Sequence, residues 1–294
     1  MKILVAIPHY FKDEGSRKYG SLRSDPAPRV AALRASILAL HEVAAGPPGL
    51  LFPPTRKVVP TNQKTTHRLD VVVCTTGGSH LLDQLDLSSR FYRAHATEAE
   101  PMLLGFECHD VLRAGLEDAD MFCYLEDDII IRDPWFFTKL AWFATWSGPG
   151  RLLQPNRYEL SSKARVHKLY IDGDIDPKFT AKYQTPPDMP ELVTRVMNQP
   201  LRFRAGPNPH SGCFFLTRAQ MRRWAGRDDF GDRDTGFMGP LESAATLGVL
   251  RCFEIYKAAP DCASFLEVLH GDNRYLDTRL KFGAGNQFAI AKPA

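Results

Sequence analysis

Three consecutive acids, Glu126-Asp127-Asp128, stand between the apolar runs 121–125 and 129–131, the pattern in this chain that most requires a chemical explanation. Carboxylates held side by side repel one another, and burying them without partners costs several kcal/mol. A divalent cation or a set of donors offsets that cost. In an extended segment alternate side chains share a face, so Glu126 and Asp128 would point one way and Asp127 the other. Glu126 and Asp128 would then form a clamp for a metal ion and a hydroxyl. The bland alternative is a solvated acidic turn. The flanks weigh against it, because 121–125 reads as a buried strand, 129–131 stays extended, and Asp133-Pro134 supplies an N-cap and first-turn proline for a helix.

Other residues with chemistry to offer fall at the ends of apolar runs. Pro8-His9-Tyr10 follows the run 2–7, and in an open α/β sheet the carboxyl edge is where ligands bind, so His9 and Tyr10 would suit a planar base. An incidental histidine in a turn fits the same letters. Thr75-Thr76-Gly77-Gly78-Ser79 follows the run 69–74 and lets a ligand approach the backbone closely. Glu242 lies in the first turn of a helix opened by Gly239-Pro240, where the helix dipole favours a charged carboxylate, whether or not it does chemistry. His270 closes the run 265–270 next to Gly271, free to coordinate. Arg274, Arg279 and Lys281, near Gly283 and Gly285, could fold over a diphosphate. The stretch 170–177, YIDGDIDP, begins like a calcium loop at Asp172, Asp174 and Asp176, but Pro177 and Tyr183 replace the required glycine and glutamate, which leaves a polar loop.

The elements that must position these residues alternate strand and helix. Runs 2–7, 69–74 and 121–125 read as buried strands, separated by helical patterns at 29–45 and 106–116. Such alternation predicts a mostly parallel α/β sheet flanked by helices, Rossmann-like, in a single domain over 1–294. A helix over 133–146 is apolar around much of its circumference and should be buried, with a strand over 151–158 after it. Later come a strand at 211–217, a helix at 218–224 and a strand at 252–256. Residues 46–68 and 177–209 are proline-rich and read as an irregular excursion and as a long irregular insertion or lid.

Composition adds bounds. With 294 residues, 44% of them apolar, the chain can bury a substantial core. A net charge of +3 argues neither for nucleic acid nor for a membrane surface, although local basic groups could hold phosphates. The start MKILVAIPHYFKDE suits a first strand better than a signal peptide, and no stretch approaches membrane-spanning length. Six cysteines without a C-x-x-C pair read as reduced core residues, as in a cytoplasmic protein.

In order along the chain, PHYF, the small-residue turn, AGLEDADMFCYLEDD, SGCFFLTRAQM, the acidic loop with GPLESAATLG, and the late His270 resemble the GT-A fold glycosyltransferases, particularly their large inverting group. The resemblance covers most of 1–275. It implies a metal-dependent transferase, hexosyltransferase-like, that moves a sugar from a nucleotide diphosphate donor to a carbohydrate or other hydroxyl acceptor. By family habit the donor is a UDP-sugar. Glu126-Asp127-Asp128 takes the place of the D-x-D motif, with Asp128 and His270 on Mn2+ or Mg2+ and Glu126 near the ribose. Pro8, His9, Tyr10, Thr75 and Asp127 would serve the nucleotide, His210, Ser211 and Gly212 the donor sugar, Arg274 the diphosphate, and Glu242 would be the general base. Residues 1–130 would form the nucleotide half and 131–294 the acceptor half, with acceptor specificity in 177–209.

The pattern departs from the family twice. The motif begins with Glu126 rather than Asp, and Ser243 follows Glu242 where two adjacent acids are usual. A retaining transferase, with a base among Asp229–Asp234, is therefore a second expectation. A sugar nucleotidyltransferase would carry a Gly-rich basic loop after the first strand, where this chain reads IPHYFKDEG. A glycoside hydrolase using Glu126 and Glu242 would need no metal, and a non-catalytic nucleotide or sugar binder would tolerate loss of the acids.

Overall fold

The structure is a computed structural model that describes residues 1–276 apart from 16–19, 45, 47, 163–165, 185–186, 207 and 272–274. Its centre is a five-stranded sheet. The parallel strands β1 (Lys2–Pro8), β4 (Arg68–Thr76), β5 (Arg93–Thr97) and β6 (Met121–Leu125) are joined at one edge by antiparallel β13 (Cys213–Thr217), in the order β13-β6-β1-β4-β5. Between these lie β2 (Gly49–Phe52), β3 (Lys57–Pro60), β7 (Ile129–Ile130), β8 (Arg151–Gln154), β9 (Asn156–Leu160), β10 (Lys168–Tyr170), β11 (Glu191–Val196) and β12 (Gln199–Arg204), with β14 (Glu254–Ala258) and β15 (Glu267–His270) after them.

Alternation along β1 explains the layering. Ile3, Val5 and Ile7 pack with Leu33, Ile37 and Leu40 of α1 (Ala27–Ala44), while Leu4 and Ala6 pack with Leu104, Cys108 and Leu112 of α2 (Leu104–Ala114). The sheet is thus covered on both faces, and the continuous apolar runs of the sequence follow from that. α1 begins where Asp25 accepts a hydrogen bond from the Ala27 N–H at 3.0 Å. α3 (Phe136–Ser147) begins after Asp133 accepts from the Trp135 N–H at 2.8 Å, and it ends at Gly148, whose φ of +93° is left-handed. Its Phe136, Phe137, Leu140 and Phe143 are buried, as expected, but Trp135 and Trp146 are exposed. α4 (Arg218–Ala225) is opened by a capping box between Thr217 and Gln220. Two short helices, α5 (Pro240–Ala244) and α6 (Leu247–Leu250), precede β14.

Several sequence expectations need correction. The stretch 151–158 is two strands parted at Pro155, β8 joining β14 and β9 joining β15, because a proline cannot continue one ladder. Residues 177–209 are not wholly irregular. They contain the hairpin β11–β12, paired from Glu191↔Arg204 to Val196↔Gln199, whose Leu192, Leu201 and Phe203 reach the core at period two. The excursion 46–68 likewise contains the hairpin β2–β3. β5 was not foreseen, since RAHAT has no apolar run. The segment 129–131 does not extend β6: a turn at Asp127 and Asp128 redirects the chain into β7, which pairs with β15 in another sheet.

Candidate active site

The acids lie at the carboxyl edge of the central sheet, at the end of β6, flanked by the ends of β1 and β15 and by the start of β13. The turn separates their roles. Asp127 Oδ2 is 2.6 Å from His9 Nδ1, and Asp127 Oδ1 forms an ion pair with Arg29 in the first turn of α1. The Leu81 N–H donates to His9 Nε2 at 3.1 Å, so the proton sits on Nδ1 and is donated to Asp127. His9 is fully buried with both nitrogens engaged, which makes it a scaffold for Asp127 rather than an open face for a base.

Asp128 and Glu126 are different. Arg29 donates to Asp128 Oδ2 at 3.0 Å, but Asp128 Oδ1 and Glu126 Oε1 are buried and accept no hydrogen bond. Burial, followed by the adjacent Asp128, pushes the Glu126 carboxyl up to about 8, with Glu242 adding to the rise against the pull of Arg157 and His270. Burial also raises Asp128, but His270, Arg29 and Arg157 outweigh it and hold that carboxyl below its ordinary value. His270 Nε2 is 3.8 Å from Asp128 Oδ2, and its Nδ1 is 2.9 Å from Glu159 Oε1. Glu159 is fully buried and also accepts from the Tyr275 and Leu276 N–H groups, so it is fixed before it orients the imidazole. Burial lowers the pKa of His270, but Asp128 and Glu159 leave it raised.

Gly212 closes against this group. The Glu126 N–H donates to its carbonyl at 2.9 Å, its φ is +63°, and a Cβ there would lie 2.8 Å from Glu126 Oε2. Only glycine fits. Ser211 and His210 face the scaffold: Ser211 Oγ donates to the Pro155 carbonyl at 2.7 Å, and His210 Nδ1 is 3.0 Å from Thr246 Oγ1. Burial drives the His210 pKa well below its ordinary value, helped by Arg157.

A second buried ionic group supports this segment. Asp172 accepts from the Arg157 N–H and Nε at 2.9 Å and from Lys257 Nζ at 3.1 Å, while Lys257 also donates to the His210 carbonyl at 2.5 Å. Asp174 pairs with Arg204 at 2.7 Å, so these acids of the calcium-like stretch meet protein cations.

Of the residues singled out in the sequence, Glu126, Asp127, Asp128, Gly212 and His270 converge. Glu242 opens α5 within electrostatic reach of Glu126. Pro8 and Thr75 are buried strand-end residues, Tyr10 packs on the α2 side of the sheet, and Arg274 lies outside the described residues. Arg29, Arg157, Glu159 and Lys257 were missed, and Asp172, read as part of a polar loop, is instead buried among cations. Their partners are 15 to 117 positions away, leaving no local signal beyond charged residues interrupting strand-like stretches.

Among the described residues no set of three His, Cys, Asp or Glu closes into a metal-binding group, and Arg29 already takes one oxygen of Asp128. Two orphaned carboxylate oxygens and an imidazole oriented by a carboxylate are nevertheless donors of the kind a hard or borderline divalent cation takes.

No family model matches the chain, and no curated protein matches it. Among solved structures, the crystal structure of S. aureus TarS is similar to it over 87% of this chain and 35% of that one, at a TM-score of 0.41 and 12% identity. The chain spans about a third of that protein's resolved chain. A likeness of this degree carries no functional argument, and the chemistry has to come from the site.

Proposed function

We propose that this chain is a glycosyltransferase of the GT-A type, transferring a sugar from a nucleotide diphosphate donor, a UDP-sugar first, to a hydroxyl acceptor. The observation that carries the reading is the pair of buried oxygens, Asp128 Oδ1 and Glu126 Oε1, left without hydrogen-bond partners beside the oriented His270 at the carboxyl edge of the sheet. A buried polar atom without a partner calls for an explanation, and a bound ion is one that suits two carboxylates. Asp128 and His270, with Glu126 beside them, would hold Mn2+ or Mg2+, which supplies positive charge for the departing diphosphate. Arg29 fixes Asp127 and Asp128, and, against burial, His270 with Arg29 and Arg157 holds the Asp128 carboxyl below its ordinary value. Glu242 would accept the proton of the acceptor hydroxyl as that oxygen attacks the anomeric carbon, inverting it. The acidic loop offers a poorer base, since Asp229 is paired with Arg227, and Asp232 and Asp234 with Arg251.

A panel of UDP- and GDP-hexoses, assayed for nucleotide release with manganese and with chelator, tests this. One donor should be turned over, chelator should stop the release, and Glu242→Gln should slow it by roughly a hundredfold or more. Release undiminished by both treatments would overturn the assignment.

A further inference from the structure

The hairpin β2–β3 carries a second surface. All of its strand residues are exposed, and Leu50, Leu51, Phe52, Val58 and Val59 lie between 39% and 64% open. The register places Leu50 opposite Val59 and Leu51 opposite Val58, so that successive cross-strand pairs alternate between the two faces and both faces are apolar. A lipid interface can take up both faces of such a ribbon at once. The charge is equally one-sided. From Val43 to Leu69 there are four cations, Arg56, Lys57, Lys64 and Arg68, and no acid, so this segment's +4 exceeds the whole chain's +3.

We propose that this hairpin docks the protein on an anionic lipid surface, its apolar side chains entering the headgroup boundary and Arg56 and Lys57 meeting lipid phosphates. Apolar insertion and basic residues are the two signals that stable peripheral binding requires. Pro48, Pro53, Pro54 and Pro60 at the strand ends have no N–H to desolvate, and they oppose edge-to-edge pairing with a second copy. The hairpin joins the end of α1 to the amino end of β4, through His67 N–H to Ala44 carbonyl and Arg68 N–H to Met1 carbonyl bonds. The carboxylate cluster, at the carboxyl edge, is therefore left free of the docking surface.

Cosedimentation of the full chain with vesicles of phosphatidylcholine, alone and mixed with phosphatidylglycerol, tests the proposal. The mixed vesicles should bind the protein and release it at high salt. Leu51→Ser with Val58→Ser, and separately Arg56→Gln with Lys57→Gln, should each lower the partition by about tenfold or more. All four positions are exposed, and unfolding midpoints should be unchanged. Equal binding to both vesicle types, or binding that neither double variant weakens, would overturn the proposal. So would no vesicle binding together with a concentration-dependent dimer that the Leu51/Val58 variant dissolves, which would assign the hairpin to a second copy of the chain.

Discussion

Asp172 and Asp128 are both buried carboxylates flanked by cations, yet one is closed and the other is not. Both oxygens of Asp172 are taken by Arg157 and Lys257, whereas Asp128 keeps one oxygen without a partner and lies next to Glu126, which keeps another. The difference is between a cluster satisfied within the protein and one that is not. In the first, every charge is answered within the protein. In the second, two buried carboxylate oxygens are left without an answering donor among the described residues.

The largest effect should come from opening the closed cluster. Asp172→Ala leaves Arg157 and Lys257 buried without their counter-ion and should lower stability by about 3–5 kcal/mol in urea unfolding. Asp128→Ala, which leaves Arg29 its bond to Asp127 and relieves Glu126, should cost less than about 1 kcal/mol by the same measurement. Equal losses would break the distinction.

The pH dependence sharpens it. Burial raises the Asp172 carboxyl, but Arg157 and Lys257 prevail and hold it down to about 2 from an ordinary 3.8. The unfolded chain therefore binds this proton more tightly. The stabilisation is complete above about pH 4 and is lost as the pH falls towards about 2, a difference on the order of 2 kcal/mol. Thermal unfolding followed through that window should show it, and Asp172→Asn should flatten the slope.

Gly212→Ala comes next. The left-handed φ and a Cβ at 2.8 Å from Glu126 Oε2 should together cost about 1–3 kcal/mol by unfolding, and displace Glu126. Smallest should be Asp174→Asn. It breaks an exposed pair with Arg204, worth less than about 1 kcal/mol.

What could be read in the sequence follows the same division. The strands 2–7, 69–74 and 121–125 were legible because a parallel sheet covered on both faces demands uninterrupted apolar runs, and the acids were legible because they interrupt one. β5 and the β11–β12 hairpin were not, since an edge strand such as RAHAT needs few apolar residues, and prolines in 177–209 masked the spaced Leu192, Leu201 and Phe203. That Glu126, Asp128 and His270 would meet was implied by the resemblance, which gave Gly212 to the donor sugar, whereas element ends alone offered His270 only as a residue free to coordinate. The cations and carboxylate that hold these residues, Arg29, Arg157, Lys257 and Glu159, were not foreseen, because ion pairing across folded elements leaves no spacing in the chain.

Calorimetric titration of UDP and GDP, with and without manganese, into the wild-type protein and Asp128→Ala tests the central claim most directly. Manganese-dependent binding of one nucleotide, abolished in Asp128→Ala although that variant remains folded, is the predicted result. Binding of neither nucleotide by the wild type, or binding indifferent to manganese and to the loss of Asp128, would contradict it and return the acid cluster to a structural role.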